Sequence, residues 1–479
     1  MLKTGKEYLD SLKNLDLKAH IMGEVLENIV DNPMVSPSAR AVAVTYDGAQ
    51  SDETRDLFQV DSHLAGCKVN RFTHMHAGPA ELTAKVNMLR HCGGVTGCCF
   101  QRCAGMDAAN AVYNTTFEID QEKNTTYHER FRRYQTMIQT EDLVHSGCMT
   151  DPKGDRSKRP TEQADPDLYL RVVGRKRDGV VVNGAKLHQT GMVNSHYIIV
   201  MPTMAMRPGE EDYAICFAVP TNTPGIHYIY GRQTSDTRKL EKNELDVGNP
   251  SFGGQEVMTV FDHVFVPDEY IFLNGEVDYC GRLVERFAAY HRQSYGGCKT
   301  GVGDVLIGAA ALSAHLQGLE KVSHIRDKLV EMIHLNETLY ACGIASAAMG
   351  TMTPAGGCEA HRLMANVCKL NVTRFPYEIA RLATDIAGGL LGTMPPAKSL
   401  EDPVAGPYIR KYLAAAGNAE DRMKVLRLIE NIVAGAGSVA YLIESVHGAG
   451  PPQAQRVMIA RQGDLQGKVS RVKALLGIK

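Results

Sequence analysis

GVVVNGAKLHQT (residues 179–190) decides the architecture. It is short, rich in β-branched residues and bounded by turn-formers, the pattern of a strand. Four runs of the same kind follow: HYIIVMPTMAM (196–206), YAICFAVP (213–220), GIHYIYGRQ (225–233) and EVMTVFDHVFVP (256–267). RPGEED and TNTPG punctuate them, so this region predicts an antiparallel sheet or a small barrel. Working outward, the period changes. From Thr4 to about Thr140, EYLDSLKNL and AELTAKVNMLRHC repeat apolar residues at three and four, the helical spacing. GCMTDPKGDRSKRPTEQADPD (147–167) reads as a loop. Beyond about Leu283 helical spacing returns, with long helices expected over 318–349 and 361–390, the second broken or kinked at Pro376. Asn418 is placed to cap the helix NAEDRMKVLRLIENIVAG, with Glu420 and Asp421 in its first turn. The expected fold is α+β: an N-terminal helical domain (1–142), a middle antiparallel β-barrel (143–277) and a C-terminal helical bundle (278–479).

Composition excludes several classes. At 479 residues, 44% hydrophobic and 22% charged, the chain has an ordinary globular balance. A formal net charge of −2 argues against nucleic-acid partners and acidic membrane surfaces. No apolar run approaches the roughly 20 residues of a membrane span. MLKTGKEYLDSLKNLDLKAH carries charges every few residues and no apolar core, unlike a signal peptide. Twelve cysteines without a secretory leader suggest buried thiols and a metal site in a cytoplasmic protein rather than disulfides.

The chemistry concentrates in AAYHRQSYGGCKTGVGDVLIGAAALSA (288–314), where His291 and Cys298 stand seven apart, close to two helical turns. In CCFQRCAGMD, Cys99 and Cys103 stand four apart, again on one face if helical. Two such helices facing each other would close a four-ligand site, suited to zinc or to an iron–sulfur cluster; the spacing does not choose between them. Buried cysteine is equally an ordinary small core residue. Gly296 and Gly297 weaken a regular helix at that point. GVGDVLIG (301–308) matches neither G-x-G-x-x-G nor a P-loop, so close helix packing is the reading for these glycines. MTDPKGDR (149–156) offers N–H groups and cations to an anionic or ring-nitrogen ligand, or is a plain surface turn. KLHQTG (186–191) is a pocket edge or a simple strand end, and DIAGGL (385–390) and ESVHGAGPPQAQR (444–456) are small-residue breaks. Glu256, which follows FGGQ and begins a strand, and Glu444, in the apolar surround YLIES, are candidate bases because burial raises a carboxyl pKa, or are ordinary exposed or paired carboxylates.

CFQRCAGMDAANAVY, GCMTDPKGDR, GAKLHQTG, FGGQE, VERFAAYHRQSYGGCK, HLNETLYACGIA, RFPYEIARLATDIAGGL and ESVHGAGPPQAQR together resemble the 4-hydroxybutyryl-CoA dehydratase family. That family lies within the flavoprotein superfamily of 4-hydroxyphenylacetate 3-hydroxylases and acyl-CoA dehydrogenases. The resemblance runs along essentially the whole chain. It implies an acyl-CoA dehydrogenase-like fold assembled as a homotetramer. It implies a [4Fe–4S] cluster on Cys99, Cys103, His291 and Cys298. It implies FAD near Met149, Thr150, Asp151, Pro152, Lys153, Gly154, Asp155 and Arg156, near His188, Gln189 and Thr190, and near Asp385, Ile386, Ala387, Gly388, Gly389 and Leu390, the last stretch reaching a neighbouring subunit. The implied reaction is radical dehydration of 4-hydroxybutyryl-CoA to crotonyl-CoA, with isomerisation of vinylacetyl-CoA. The hydroxyl sits on C4 and the C3 proton beside it is not acidified by the thioester, so direct elimination is too slow. Removal of the acidic C2 proton, with one electron passing to FAD and later returning, circumvents this, while the cluster acts as a Lewis acid on the leaving hydroxyl. Glu444 and His291 are the implied acid/base groups; Tyr295, Lys299 and Glu256 shape the site. A flavin-dependent aromatic hydroxylase is the alternative on this scaffold, and the four cluster ligands count against it. A cluster-bearing sensor would need none of Glu256, Tyr295 or Glu444.

Overall fold

A computed structural model describes residues 2–26, 28–241 and 243–479. GVVVNGAKLHQT forms a twelve-residue strand, Gly179–Thr190, and pairs antiparallel with an equally long one, Glu256–Pro267. These two are neighbours within a six-stranded sheet ordered Glu24–Val25, Ala19–Ile21, Ile226–Tyr230, Glu256–Pro267, Gly179–Thr190, Arg171–Lys176. A second sheet runs Ile271–Asn274, Ile215–Pro220, Tyr197–Val200, His145–Cys148.

The expected barrel does not form. Each sheet stays open, with Glu24–Val25 and Arg171–Lys176 as the edges of one, Ile271–Asn274 and His145–Cys148 as the edges of the other. Closure needs a consistent stagger around a ring, which alternation along single strands does not encode. Nor is the pairing wholly antiparallel. Ala19–Ile21 lies parallel to Ile226–Tyr230, and His145–Cys148 parallel to Tyr197–Val200. These recruited strands are three and four residues long, too short to register against a helical or loop-like background.

The helices are nearer to expectation. Ser323–Ala348 forms one helix. The 361–390 stretch divides into Arg362–Val372 and Phe375–Ala387, with Pro376 in the first turn of the second, where its missing N–H leaves no bond unmade. Asn418 accepts from the Asp421 N–H at 2.8 Å and caps Ala419–Val433. Among the described residues no helix is long and apolar enough to cross a membrane.

The central helix, Val277–Leu316, departs from the reading at Gly296 and Gly297: it runs unbroken for 40 residues. The glycines serve close approach instead of interruption. A Cβ on Gly296 would meet Gly343 Cα at 2.6 Å, and one on Gly297 would meet the Val86 carbonyl at 2.5 Å. Packing against Pro79–Thr96 and Ser323–Ala348 repays the lost helix propensity. Gly301→Ala drives a methyl into the Arg90 carbonyl and to 2.7 Å from the Gly94 nitrogen, both backbone atoms. We expect it to lower stability by about 1–3 kcal/mol in denaturant titrations. Gly308→Ala, on the same helix with nothing within 4 Å of the added carbon, is expected to be neutral or stabilising.

Candidate active site

Cys103 is the first residue of the helix Cys103–Lys123, so Cys99 lies outside it. The shared helical face expected for the two thiols is therefore absent. Between them Gln101 adopts φ +69°, with its side chain donating to the Ser38 carbonyl at 3.0 Å and accepting from Asn194 Nδ2 at 2.7 Å. This pinned turn carries Cys99 back toward the site. Cys298 and His291 stand on the central helix at the expected two-turn spacing. Cys99, Cys103 and Cys298 are free thiols. Burial pushes all three up, Cys298 to about 11, and their charges act on one another: Cys103 on Cys99, Cys298 on Cys103. Among the described residues no three His, Cys, Asp or Glu side chains are grouped closely enough to hold a single metal ion.

His291 is fixed by a buried ionic network. Its Nδ1 lies 2.8 Å from Asp107 Oδ2, which also accepts from Ser294 Oγ at 2.8 Å. The other oxygen, Oδ1, accepts from Lys85 Nζ at 2.7 Å, and Lys85 further donates to the Tyr290 carbonyl and Gln293 Oε1, both at 3.1 Å. Asp107 and Lys85 are inaccessible to solvent. Burial alone would raise the Asp107 pKa; Lys85 and His291 outweigh it and hold the carboxyl below its ordinary value. Phe287 stacks on the imidazole with ring centroids 5.3 Å apart, and Tyr295 meets it edge-on at 5.1 Å.

One helical step past Cys298, Lys299 joins the catalytic candidates. Its Nζ donates to Glu444 Oε2 at 2.7 Å and to the Ala440 carbonyl. That carbonyl belongs to a single π-helical turn, Val439–Ile443, immediately before Glu444. Such widened turns expose carbonyls and recur at functional sites. Burial lowers the Lys299 pKa, but Glu444 and the nearby thiols overcome this and leave it raised. Glu256, opposite Thr190 in the sheet register, accepts from Thr190 Oγ1 at 2.6 Å. Burial first, and then the Glu444 carboxylate beside it, push the Glu256 pKa well up. Tyr295 is buried between two lysine amino groups, with Lys299 Nζ at 4.9 Å and Lys369 Nζ at 4.8 Å from its ring centroid; burial lowers the Lys369 pKa to about 7.

The raised Glu256 pKa has a signed consequence. The folded chain retains a proton that the unfolded chain releases at the ordinary carboxylate pKa. Stability is therefore lost as pH rises from that value through the raised one. Glu256→Gln removes this slope; melting temperature followed against pH is expected to fall more steeply in the unaltered protein than in the variant.

The proposed flavin residues divide into two places. Met149 N–H donates to Gln189 Oε1 at 3.2 Å, Leu187 N–H to the Thr150 carbonyl at 2.7 Å, and Lys186 pairs with buried Asp151 at 2.9 Å. The 149–156 loop and the 186–190 strand end thus form one ledge, with Gly154, Asp155 and Arg156 exposed. Lys153 and His188 both have positive φ, +77° and +57°, an unfavourable conformation for side-chain-bearing residues that concentrates at ligand sites. Asp385–Leu390 lies elsewhere. Ile386 and Ala387 join the C-terminal core, Asp385 pairs with Lys328 at 2.7 Å, and Gly388 and Gly389 border open space.

Sequence reasoning missed Lys85, Asp107, Ser294 and Lys369. Asp107 sits inside the quoted CFQRCAGMD, but nothing local distinguishes it; the others carry no pattern, because their partners lie up to 208 residues away.

The 4-hydroxyphenylacetate 3-hydroxylase N-terminal family model matches residues 4–273, and its C-terminal counterpart matches residues 280–477. The chain is 53% identical, over 490 aligned positions covering 100% of both, to 4-hydroxybutyryl-CoA dehydratase/vinylacetyl-CoA-Δ-isomerase of Clostridium aminobutyricum. A solved oxygen-tolerant archaeal 4-hydroxybutyryl-CoA dehydratase from N. maritimus superposes with a TM-score of 0.98 at 51% identity, covering 100% of this chain and 96% of that one. The oxygenase component of 4-hydroxyphenylacetate 3-monooxygenase, solved with FAD, superposes with a TM-score of 0.88 at 22% identity over 99% and 98%, a likeness of fold.

Proposed function

The chain belongs to the 4-hydroxyphenylacetate 3-hydroxylase family, in its 4-hydroxybutyryl-CoA dehydratase branch, and from that premise we propose that it dehydrates 4-hydroxybutyryl-CoA to crotonyl-CoA and isomerises vinylacetyl-CoA. The observation that carries this reading is the grouping of a Thr190-held Glu256, a Lys299-held Glu444 and buried Tyr295 beside three free thiols and His291.

The donor set fits the proposed cofactors. Cys99, Cys103 and Cys298 would hold a [4Fe–4S] cluster with His291, whose Nδ1 is engaged by Asp107 and whose Nε2 is left to donate. Ligands of a cluster bind separate irons and so need not converge on one point. The ledge of 149–156 and 188–190 would hold FAD, and the open glycines of 385–390 would meet a flavin from a neighbouring subunit. When bound, the cluster supplies a Lewis acid and the flavin a one-electron partner.

The residues then divide the work. Glu444, with Oε2 held by Lys299, takes the acidic proton from the carbon beside the thioester. Glu256, held by Thr190 and with its pKa raised by burial and by Glu444, resists adding a second negative charge to the pocket. Tyr295 and Phe287 exclude water around His291. The proposed assembly is a homotetramer in the cytoplasm; the exposed apolar positions Leu465, Val469, Val472 and Leu476, on one face of the terminal helix Leu465–Leu476, support an inter-subunit contact.

The test is anaerobic purification with iron, sulfide and flavin analysis, followed by assay with 4-hydroxybutyryl-CoA. About four irons and four sulfides with FAD in each chain, and crotonyl-CoA formed, support the reading. FAD without iron, and no dehydration after cluster reconstitution, would overturn it in favour of the flavin-dependent hydroxylase.

A further inference from the structure

Among the described residues, Asp107 is the one side chain hydrogen-bonded to a His291 ring nitrogen, and the geometry around it is directional. Lys85 Nζ, a group that only donates, occupies Oδ1 at 2.7 Å. The carboxylate has only acceptors to offer, so Oδ2 must receive hydrogens from both His291 Nδ1 and Ser294 Oγ, each at 2.8 Å. Lys85 is itself saturated, with the Tyr290 carbonyl and Gln293 Oε1 as its other acceptors. Its position is thus set by three acceptors, and the orientation of Asp107 follows from it.

We propose that Asp107, oriented by Lys85, is a positioning residue that selects the His291 tautomer with hydrogen on Nδ1 and so presents Nε2 as the lone-pair donor to the cluster. This rests on the cluster reading above. A ring nitrogen bearing hydrogen cannot ligate iron, so the wrong tautomer removes the fourth ligand without altering His291 itself.

The ion pair makes a specific prediction about Asp107→Asn. Lys85 can only donate, so it compels the amide oxygen to face it and turns the NH2 toward His291 and Ser294. An NH2 facing Nδ1 requires Nδ1 to accept; the hydrogen moves to Nε2 and ligation is lost. Removing Lys85 as well frees the amide to rotate, and its oxygen can again accept from Nδ1–H. The double variant Asp107→Asn with Lys85→Met is therefore expected to regain what the single variant loses. Merely structural damage would instead accumulate.

The measurement is 57Fe Mössbauer spectroscopy of anaerobically purified holoenzyme, together with the rate of iron loss to a chelator. In the unaltered protein about one iron in four should show a nitrogen-ligated site distinct from the sulfur-ligated ones. Asp107→Asn should lose that site and bind iron about 10–100-fold more weakly. The double variant should recover it, and Ser294→Ala, which leaves the acceptor in place, should keep it. Retention of the nitrogen-ligated site in Asp107→Asn overturns the proposal, as does a double variant no better than the single one. Iron-free unaltered protein, even after reconstitution, overturns the cluster reading together with this inference; four irons with an indifferent Asp107→Asn overturn this inference alone.

Discussion

Glu444→Gln is expected to lower turnover by about 10²–10⁴-fold, the usual contribution of a positioned base. The substitution keeps volume and still offers Lys299 an amide oxygen, so the pocket retains its shape while the proton acceptor is gone. Dehydration and vinylacetyl-CoA isomerisation should fall together, because in the proposed mechanism both begin at the carbon beside the thioester. Iron and flavin content should stay unchanged, since Glu444 is in neither proposed ligand set. Steady-state assays of both reactions on cofactor-replete variant decide the matter. Activity within a few-fold of the unaltered enzyme would remove Glu444 as the base and leave His291 as the candidate. A secondary effect accompanies the first: without the Glu444 charge, one cause of the raised Glu256 pKa disappears.

The second large effect is on stability. Lys299 is 4% exposed and Glu444 19%, and the pair lies beside Glu256 and the buried thiols. Lys299→Met deletes the cation and leaves Glu444 facing Glu256 with no positive neighbour at hydrogen-bond distance from its Oε2. Breaking a buried pair from one side typically costs about 3–5 kcal/mol. The loss is expected to shrink to a fraction of that in Lys299→Met combined with Glu444→Gln, because both charges are then gone and only a neutral hydrogen bond is missing. Denaturant titrations of the two single variants and the double close the cycle. Additive losses would mean that Lys299 and Glu444 are independently solvated and that the ion pair does not organise the pocket.

The strands Gly179–Thr190 and Glu256–Pro267 were readable to the residue, because alternation and turn-formers act within a few positions. The Asn418 cap and the break at Pro376 were equally local. Gly296 and Gly297 were misread as a weakness in the helix, since what they accommodate, Gly343 and Val86, arrives from elsewhere in the chain. Cys99 was placed on a helix that begins only at Cys103, because the turn at Gln101 is held by Ser38 and Asn194 rather than by its neighbours.

By itself the sequence determined the order of helical and β regions, the pairs of donors at two-turn and four-residue spacing, and the carboxyls in apolar settings. Those follow from periodicity and side-chain chemistry, which are properties of short segments. Only the tertiary structure decided that the sheets stay open, that two stray strands from Ala19–Val25 complete one of them, and that Lys85, Asp107 and His291 form one network. The reason is physical. Edge pairing and a buried ion pair draw their free energy from partners far apart in sequence, and they exist only once the intervening chain has been ordered and water excluded around them.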